Sequence, residues 1–293
     1  MMQPSFLTDS PLSQQPLFEL KNVTFSYANS QNQLLDNVSL SLFPGENIGL
    51  IGENGCGKST IIKLLLGLCF PNNGTVNLFG RKVLWGNNYP QLGYIGDPSY
   101  YPGELGLPTG ILVKELVQIF KSLCQQEKEL KDLSFREIEE RLQIPSFYES
   151  DVSKLSKGQR IRLMAFLALA KKPHLLIADE ATEGLDKEGK EIVLSEVQRL
   201  ANCHQAGILW ISHRRDEVAR LTDKVYELFQ GKLHEQERQG FDCQIETDSI
   251  NAEAKKYFNL SKDGAFQALE EIFTDSSIHK FQMTGVLQKR ESL

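Results

Sequence analysis

Two short stretches carry side chains at a spacing suited to phosphate chemistry. The first, Gly52-Glu53-Asn54-Gly55-Cys56-Gly57-Lys58-Ser59-Thr60, fits the phosphate-cradling pattern G-x-x-x-x-G-K-[ST]. Its glycines let backbone N–H groups wrap a phosphate chain, Lys58 would neutralise the β- and γ-phosphates, and the Ser59 hydroxyl would ligate Mg²⁺. Gly52, Asn54, Gly55, Cys56, Gly57, Lys58, Ser59 and Thr60 are thus candidate nucleotide contacts. The second stretch, Leu175-Leu-Ile-Ala-Asp179-Glu180, ends an apolar run in two carboxylates. Asp179 is suited to hold Mg²⁺, directly or through water, and Glu180 to polarise an attacking water as general base. Alone, an apolar run ending in acids is a common strand end; its weight comes from the glycine-rich loop upstream.

Both stretches need strands and helices to aim them. Asn47 to Ile51 is an apolar strand between glycines, and Ser59 to Leu68 suits a buried helix, so the loop sits between strand and helix as a phosphate site requires. Upstream, Leu17 to Tyr27 and Val38 to Phe43 are rich in β-formers, with a Pro44-Gly45 turn after them. Lys114 to Arg141 has helical periodicity with charges on one side, which predicts a helical insert of two or three amphipathic helices. A further helix over Gln159 to Ala170 leads into the strand Leu175 to Ala178, and strands follow at Gly207 to Ile211 and Lys224 to Phe229. Alternating helices and buried strands predict an α/β fold with a mostly parallel sheet and helices on both faces. Ligands then belong at the carboxyl ends of the strands, where Asp179 and Glu180 fall.

Just ahead of the acidic strand lies Leu155-Ser156-Lys157-Gly158-Gln159-Arg160, which resembles the signature motif, usually LSGGQ, of the ATP-binding-cassette (ABC) family. The similarity runs from about Leu17 to about Leu233. The resemblance implies a P-loop NTPase core of the ABC type with an antiparallel β subdomain and a helical subdomain at about 98–172. It also implies an ATPase subunit of a membrane transporter, with ATP and Mg²⁺ as cofactors. Tyr27 matches the aromatic that stacks on adenine, with an ordinary strand-end tyrosine as the alternative. Glu183-Gly184-Leu185-Asp186 resembles the D-loop that touches the opposite subunit, and His213 the switch histidine that contacts the γ-phosphate. In this family the signature of one subunit closes over ATP held by the P-loop of the other, so Ser156, Lys157, Gly158 and Gln159 would act on a mate's nucleotide. That mate is a second copy or a related ATPase subunit. One departure stands out: Gly93-Tyr94-Ile95-Gly96-Asp97-Pro98 puts Asp97 where the family places a Gln that senses γ-phosphate and Mg²⁺. A carboxylate there can still reach Mg²⁺ or orient water, and slower turnover or altered coupling is the expectation.

Composition bounds the rest. The chain has 293 residues, 41% hydrophobic and 24% charged, with a net charge of -6 that gives no basic footprint for nucleic acid. Five cysteines show neither zinc-site spacing nor a disulfide framework, which suits reduced thiols. The most apolar stretch, Ile61 to Phe70, is too short to cross a bilayer, for which about 20 residues are needed. Reduced thiols suit the cytoplasm, and the resemblance implies a place on the cytoplasmic face of the membrane, with the spanning permease on separate chains. The expected organisation is a flexible leader at 1–16, the ATPase domain at 17–234 and a small extension at 235–293, with a helix at Ala265 to Phe273 and a strand-like Lys280 to Lys289. The tail from Val286 to Leu293 faintly resembles cassette subunits of small exporters, which leans toward export. Tyr100 and Tyr101 in the loop 98–108 suit a docking surface. A non-transport cassette ATPase is the alternative reading.

Overall fold

The computed structural model describes residues 15–28, 33–85, 89–96, 107–108, 110–126 and 135–236, together with the backbone of three strands at 244–249, 256–257 and 278–284. The leader before residue 15, Asp97, Tyr100, Tyr101, the helix expected at 265–273 and the tail 286–293 lie outside the described residues.

The chain opens with an antiparallel sheet. Strands β1 (Phe18–Phe25) and β2 (Leu35–Leu42) pair in the register Phe18 to Leu42 and Leu20 to Leu40. After β3 (Asn47–Ile51) and α1 (Lys58–Leu65), β4 (Asn73–Leu78) returns to the other edge of β1, and β5 (Arg81–Lys82) completes the order β2-β1-β4-β5. The helix expected to run to Leu68 stops at Leu65, because Gly67 turns the chain at positive φ.

The second sheet holds β3 at its centre. Its other strands are β6 (Leu92–Ile95), β7 (Leu175–Asp179), β8 (Gly207–Ile211), β9 (Lys224–Phe229) and β10 (Lys232–Gln236), in the order β10-β9-β3-β8-β7-β6. All neighbours are parallel except the β9–β10 hairpin at the edge. The expected domain boundary at 234 falls inside β10, which carries the sheet on to Gln236.

Helices cover both faces. Between β6 and β7 lie α2 (Val113–Gln126), α3 (Phe135–Arg141) and α4 (Lys157–Leu169). Then α5 (Lys187–His204) joins β7 to β8, and α6 (Arg215–Leu221) joins β8 to β9. Alternation along the strands decides which core each residue joins. Leu175, Ile177, Leu209 and Ile211 pack with α1 and the antiparallel sheet, whereas Leu176, Ala178, Ile208 and Trp210 face the core formed with α4, α5 and α6. Each such fully buried Leu or Ile contributes roughly 1.5–3 kcal/mol by leaving water. The strands can therefore be apolar throughout, as a parallel sheet covered on both faces requires.

The helical insert has its own polar fastenings. On α3, the buried Glu139 accepts from the Tyr148 hydroxyl and pairs with Lys121 of α2. Arg141 reaches Glu196 of α5 at 2.5 Å. The backbone strand Gln244–Ser249 (β11) pairs with Lys256–Tyr257 (β12) and with Ile278–Thr284 (β13) in a separate three-stranded sheet; the last overlaps the start of the strand expected from Lys280. Among the described residues, no helix is long and apolar enough to cross a membrane.

Candidate functional site

Three neighbouring strands, β3, β8 and β7, deliver their carboxyl ends to one edge of the parallel sheet. The loop after β3 is the glycine-rich stretch, the acids Asp179 and Glu180 follow from β7, and Ser212 and His213 leave β8 between them. Residues far apart in the chain thus meet at the crevice that open α/β sheets offer ligands.

The loop is shaped around Lys58. Its Nζ donates to the Gly52 carbonyl at 2.7 Å and the Glu53 carbonyl at 2.9 Å, so the ammonium is held inside the loop rather than in solvent. Gly57 enters α1 at φ 116°, a backbone conformation that favours glycine, and a Cβ there would lie a tight 3.0 Å from Leu35 Cδ2. The first turn of α1 points its N–H groups toward this loop, which suits an anion. Thr60 Oγ1 lies 3.1 Å from the Tyr27 hydroxyl, which brings the exposed Tyr27 ring beside the same helix. That ring stands edge-on to Phe25.

Across the crevice, Glu180 takes the left-handed backbone conformation at φ 48°, rare for a side chain of its size. Its carboxylate accepts from the His213 N–H at 3.2 Å and lies 2.9 Å from His213 Nδ1. Ser59, Gly96, Asp179, Glu180, Lys157 and Glu183 line a cleft of about 620 Å³. The Ser59 hydroxyl and the Asp179 carboxylate are hard oxygen donors among the residues lining this cleft, a donor type that suits Mg²⁺.

The signature stretch starts α4. Ser156 caps it: Ser156 Oγ accepts from the Gln159 N–H at 3.2 Å and the Gln159 amide oxygen accepts from the Ser156 N–H at 3.0 Å. Lys157 pairs with Glu183 at 3.0 Å and lays its stem across Gly184, where a Cβ would come 2.6 Å from Lys157 Cδ. Asp186 caps α5 by accepting from the Gly189 N–H at 2.8 Å. Of the predicted residues, the cleft gathers Ser59, Lys157, Asp179 and Glu180, with His213 on Glu180. Tyr27, Gly52, Asn54, Gly55, Cys56, Gly57, Lys58, Thr60, Ser156, Gly158, Gln159 and Asp186 are not on its wall.

Three polar residues that no motif marks lie behind Glu180. Thr182, Ser212 and Glu217 are each 3% exposed or less, and Glu217 accepts from the Thr182 hydroxyl at 2.6 Å. A hint was available in Ser212, a polar residue directly following the buried β8. Nothing local separates Glu217 from the neighbouring acid Asp216 in the first turn of α6.

The chain matches the family described as ABC transporter over residues 35–183. It is 28% identical over 243 residues to the zinc uptake system ATP-binding protein ZurA of Listeria innocua, covering 78% of this chain and 91% of that protein. It is 32% identical over 225 residues to the energy-coupling factor transporter ATP-binding protein EcfA1 of Streptococcus pyogenes, covering 74% of this chain and 77% of that protein. A solved dimeric ATP-binding cassette in a post-hydrolysis state, bound to ADP and Pi, superimposes with a TM-score of 0.61 at 23% identity, covering 76% of this chain and all of that one, a likeness of fold. The chain belongs to the ABC transporter family, as an ATP-binding subunit with ATPase activity.

Proposed function

We propose that this ATPase subunit dimerises head-to-tail around ATP and drives a permease carried on separate membrane-spanning chains. The supporting observation is the convergence of the Lys58 loop, Asp179, Glu180 and His213 at the ends of three adjacent strands.

In this reading Gly52, Asn54, Gly55, Cys56, Gly57 and Thr60 supply the loop that wraps the phosphates. Lys58 leaves the Gly52 and Glu53 carbonyls to pair with the β- and γ-phosphates. Ser59 and Asp179, with Asp97, hold Mg²⁺, which when bound neutralises phosphate charge. Glu180 takes the proton of the attacking water as its oxygen bonds to the γ-phosphorus and the bond to the bridging oxygen breaks, releasing ADP and phosphate. His213 holds Glu180 until the γ-phosphate draws its ring away, and Tyr27 offers its face to adenine. From the mate, Ser156, Lys157, Gly158 and Gln159 close over the γ-phosphate, with Asp186 at the seam.

The membrane partner finds a surface on α2. Gly110, Ile111, Glu115, Ile119 and Leu123 line an open groove, and Ile119 and Leu123 are 50% and 58% exposed, to one side of the buried stripe of Val113, Val117 and Cys124. Large apolar side chains left in water on a helix otherwise packed into a core suit a docking partner. The chain would then sit on the cytoplasmic face of the membrane, and no nucleic acid partner is proposed. On direction, the resemblance that leaned toward export rests on residues 286–293, outside the described residues, whereas the Listeria relative is by name part of an uptake system. Uptake is the reading with the broader support.

The test is a Glu180→Gln variant of the full chain with Mg-ATP. It should elute as a dimer carrying ATP; a nucleotide-free monomer at saturating ATP would sink the proposal. Copurification with ribosomes or DNA in place of a polytopic membrane protein would favour a non-transport role.

A further inference from the structure

We infer that Glu217 is a positioning residue for the hydrolytic step, holding in one carboxylate the two loops that aim Glu180; this rests on the assignment of Glu180 as the base.

Glu180 sits at positive φ, so something outside its own backbone preference must keep it there. Apart from the turn bond that its carbonyl accepts from the Glu183 N–H at 2.9 Å, its anchors come from one short segment. The Glu180 N–H donates to the Ile211 carbonyl at 2.9 Å, and its carboxylate meets the His213 N–H, the His213 ring and, at 3.5 Å, the Ser212 hydroxyl. The direction of Glu180 is therefore set by where residues 211–213 stand.

Residues 211–213 are in turn held by α6. Ser212 Oγ accepts from the Arg214 N–H at 3.1 Å and lies 3.4 Å from Glu217 Oε2. The same Oε2 accepts from the Thr182 hydroxyl at 2.6 Å, and Oε1 pairs with Arg214 Nε at 2.8 Å. Thr182 is two residues beyond Glu180, and Ser212 is one before His213. A single carboxylate thus ties down both sides of the catalytic pair. Ser212 has one hydroxyl proton and two carboxylates within reach, so it bonds either Glu180 or Glu217 at a given moment. When His213 turns toward nucleotide, Ser212 and its hold on Glu217 keep the segment from following.

The burial makes this more than a surface pairing. With Glu217, Thr182 and Ser212 all closed to solvent, loss of Glu217 would strand the Thr182 hydroxyl and leave Ser212 with Glu180 as its acceptor. A structural account of the same residue is available: an acid in the first turn of α6 complements the helix dipole and neutralises Arg214. That account needs the charge, whereas positioning needs acceptor oxygens, and the two separate experimentally.

The experiment uses the purified full chain and measures ATPase kcat, KM for ATP and melting temperature. Glu217→Ala should lower kcat by about ten- to a hundredfold, the scale of a small misplacement of a reacting group, with KM for ATP changed by no more than about twofold. Glu217→Gln keeps an acceptor oxygen for the hydroxyls while losing the charge, and should recover most of the turnover. Thr182→Val, nearly the same shape, should lower kcat in the same direction and add little to Glu217→Ala when combined. Should Glu217→Ala not fold, Thr182→Val decides. The inference is overturned if Thr182→Val turns over at the wild-type rate, or if Glu217→Gln is as slow as Glu217→Ala. A parallel Glu180→Gln separates the two levels: if that variant still hydrolyses ATP, the assignment of Glu180 is wrong, and if it is inactive while Thr182→Val is normal, only the role of Glu217 is.

Discussion

Replacing Arg141 by Ala tests how the helical insert is bolted to the rest of the ATPase. The guanidinium Nε reaches Glu196 Oε1 in the middle of α5 at 2.5 Å, with the Glu196 side chain 6% exposed and that of Arg141 33% exposed. The hydrogen bond to Glu196 is the main cause holding the Arg141 pKa above its ordinary value. A second pair, Arg141 with the exposed Glu137 at 3.3 Å, contributes at most about 0.5 kcal/mol. Removing one partner of a buried pair costs about 3–5 kcal/mol, because the other charge is left without compensation. Here the arginine lies at the protein edge, so water enters the space it leaves, and we expect a loss of about 2–3 kcal/mol in urea denaturation. Replacing both residues by Met removes the stranded charge and should recover most of that loss. Should Arg141→Ala stay within about 0.5 kcal/mol of the parent, the scale of an ordinary surface change, or should the double replacement be less stable than the single, the reasoning is refuted.

Other outcomes follow from the site. Glu180→Gln should retain ATP while losing about 10²–10⁴ in turnover, measured by phosphate release; unchanged turnover would remove Glu180 from its role. In alkylation mapped by mass spectrometry, among the described cysteines exposed Cys203 should label first and buried Cys124 last. Burial pushes the Cys69 thiol up to about 11 against the pull of Lys63, so below that pH it is mostly protonated and should label slowly, faster as pH rises toward 11. Mg-ATP should protect Cys56 in the phosphate loop and leave Cys203 unaffected; equal labelling of Cys56 with and without nucleotide would count against the loop as the binding site. Glu183→Gln frees Lys157 from its 3.0 Å partner and should raise the apparent affinity of the dimer for ATP at low salt, an effect lost in high salt; a salt-independent change would exclude an electrostatic cause.

How much of this was legible in the sequence varies with how local the cause is. The loop from Gly52 to Thr60 could be placed because an apolar strand, three glycines and an apolar helix follow one another without a gap. The strands at 175–179 and 207–211 were equally plain, since burial on both faces leaves an almost unbroken apolar run. By contrast β4, with Asn73, Gly74 and Asn77 among its six residues, has no strand-like composition; it forms because β1 offers it an edge. The backbone of β11 likewise depends on β13, nearly thirty residues further on. In the site, Lys58 and Glu180 were readable from motif, but the engagement of Ser156 with Gln159, of Lys157 with Glu183 and of Thr182 with Glu217 depends on side-chain directions that only the fold sets.

The mutual cap between Ser156 and Gln159 bears on how fast two subunits can join. Because each side chain already satisfies the other's backbone, the start of α4 is rigid before any nucleotide arrives. In the proposed head-to-tail dimer, a mate approaching with ATP would meet a docking plate that is already shaped, and little chain entropy would remain to be lost on contact. Closure would then be paced by the swing of whole lobes toward each other, not by ordering of the segment that does the gripping.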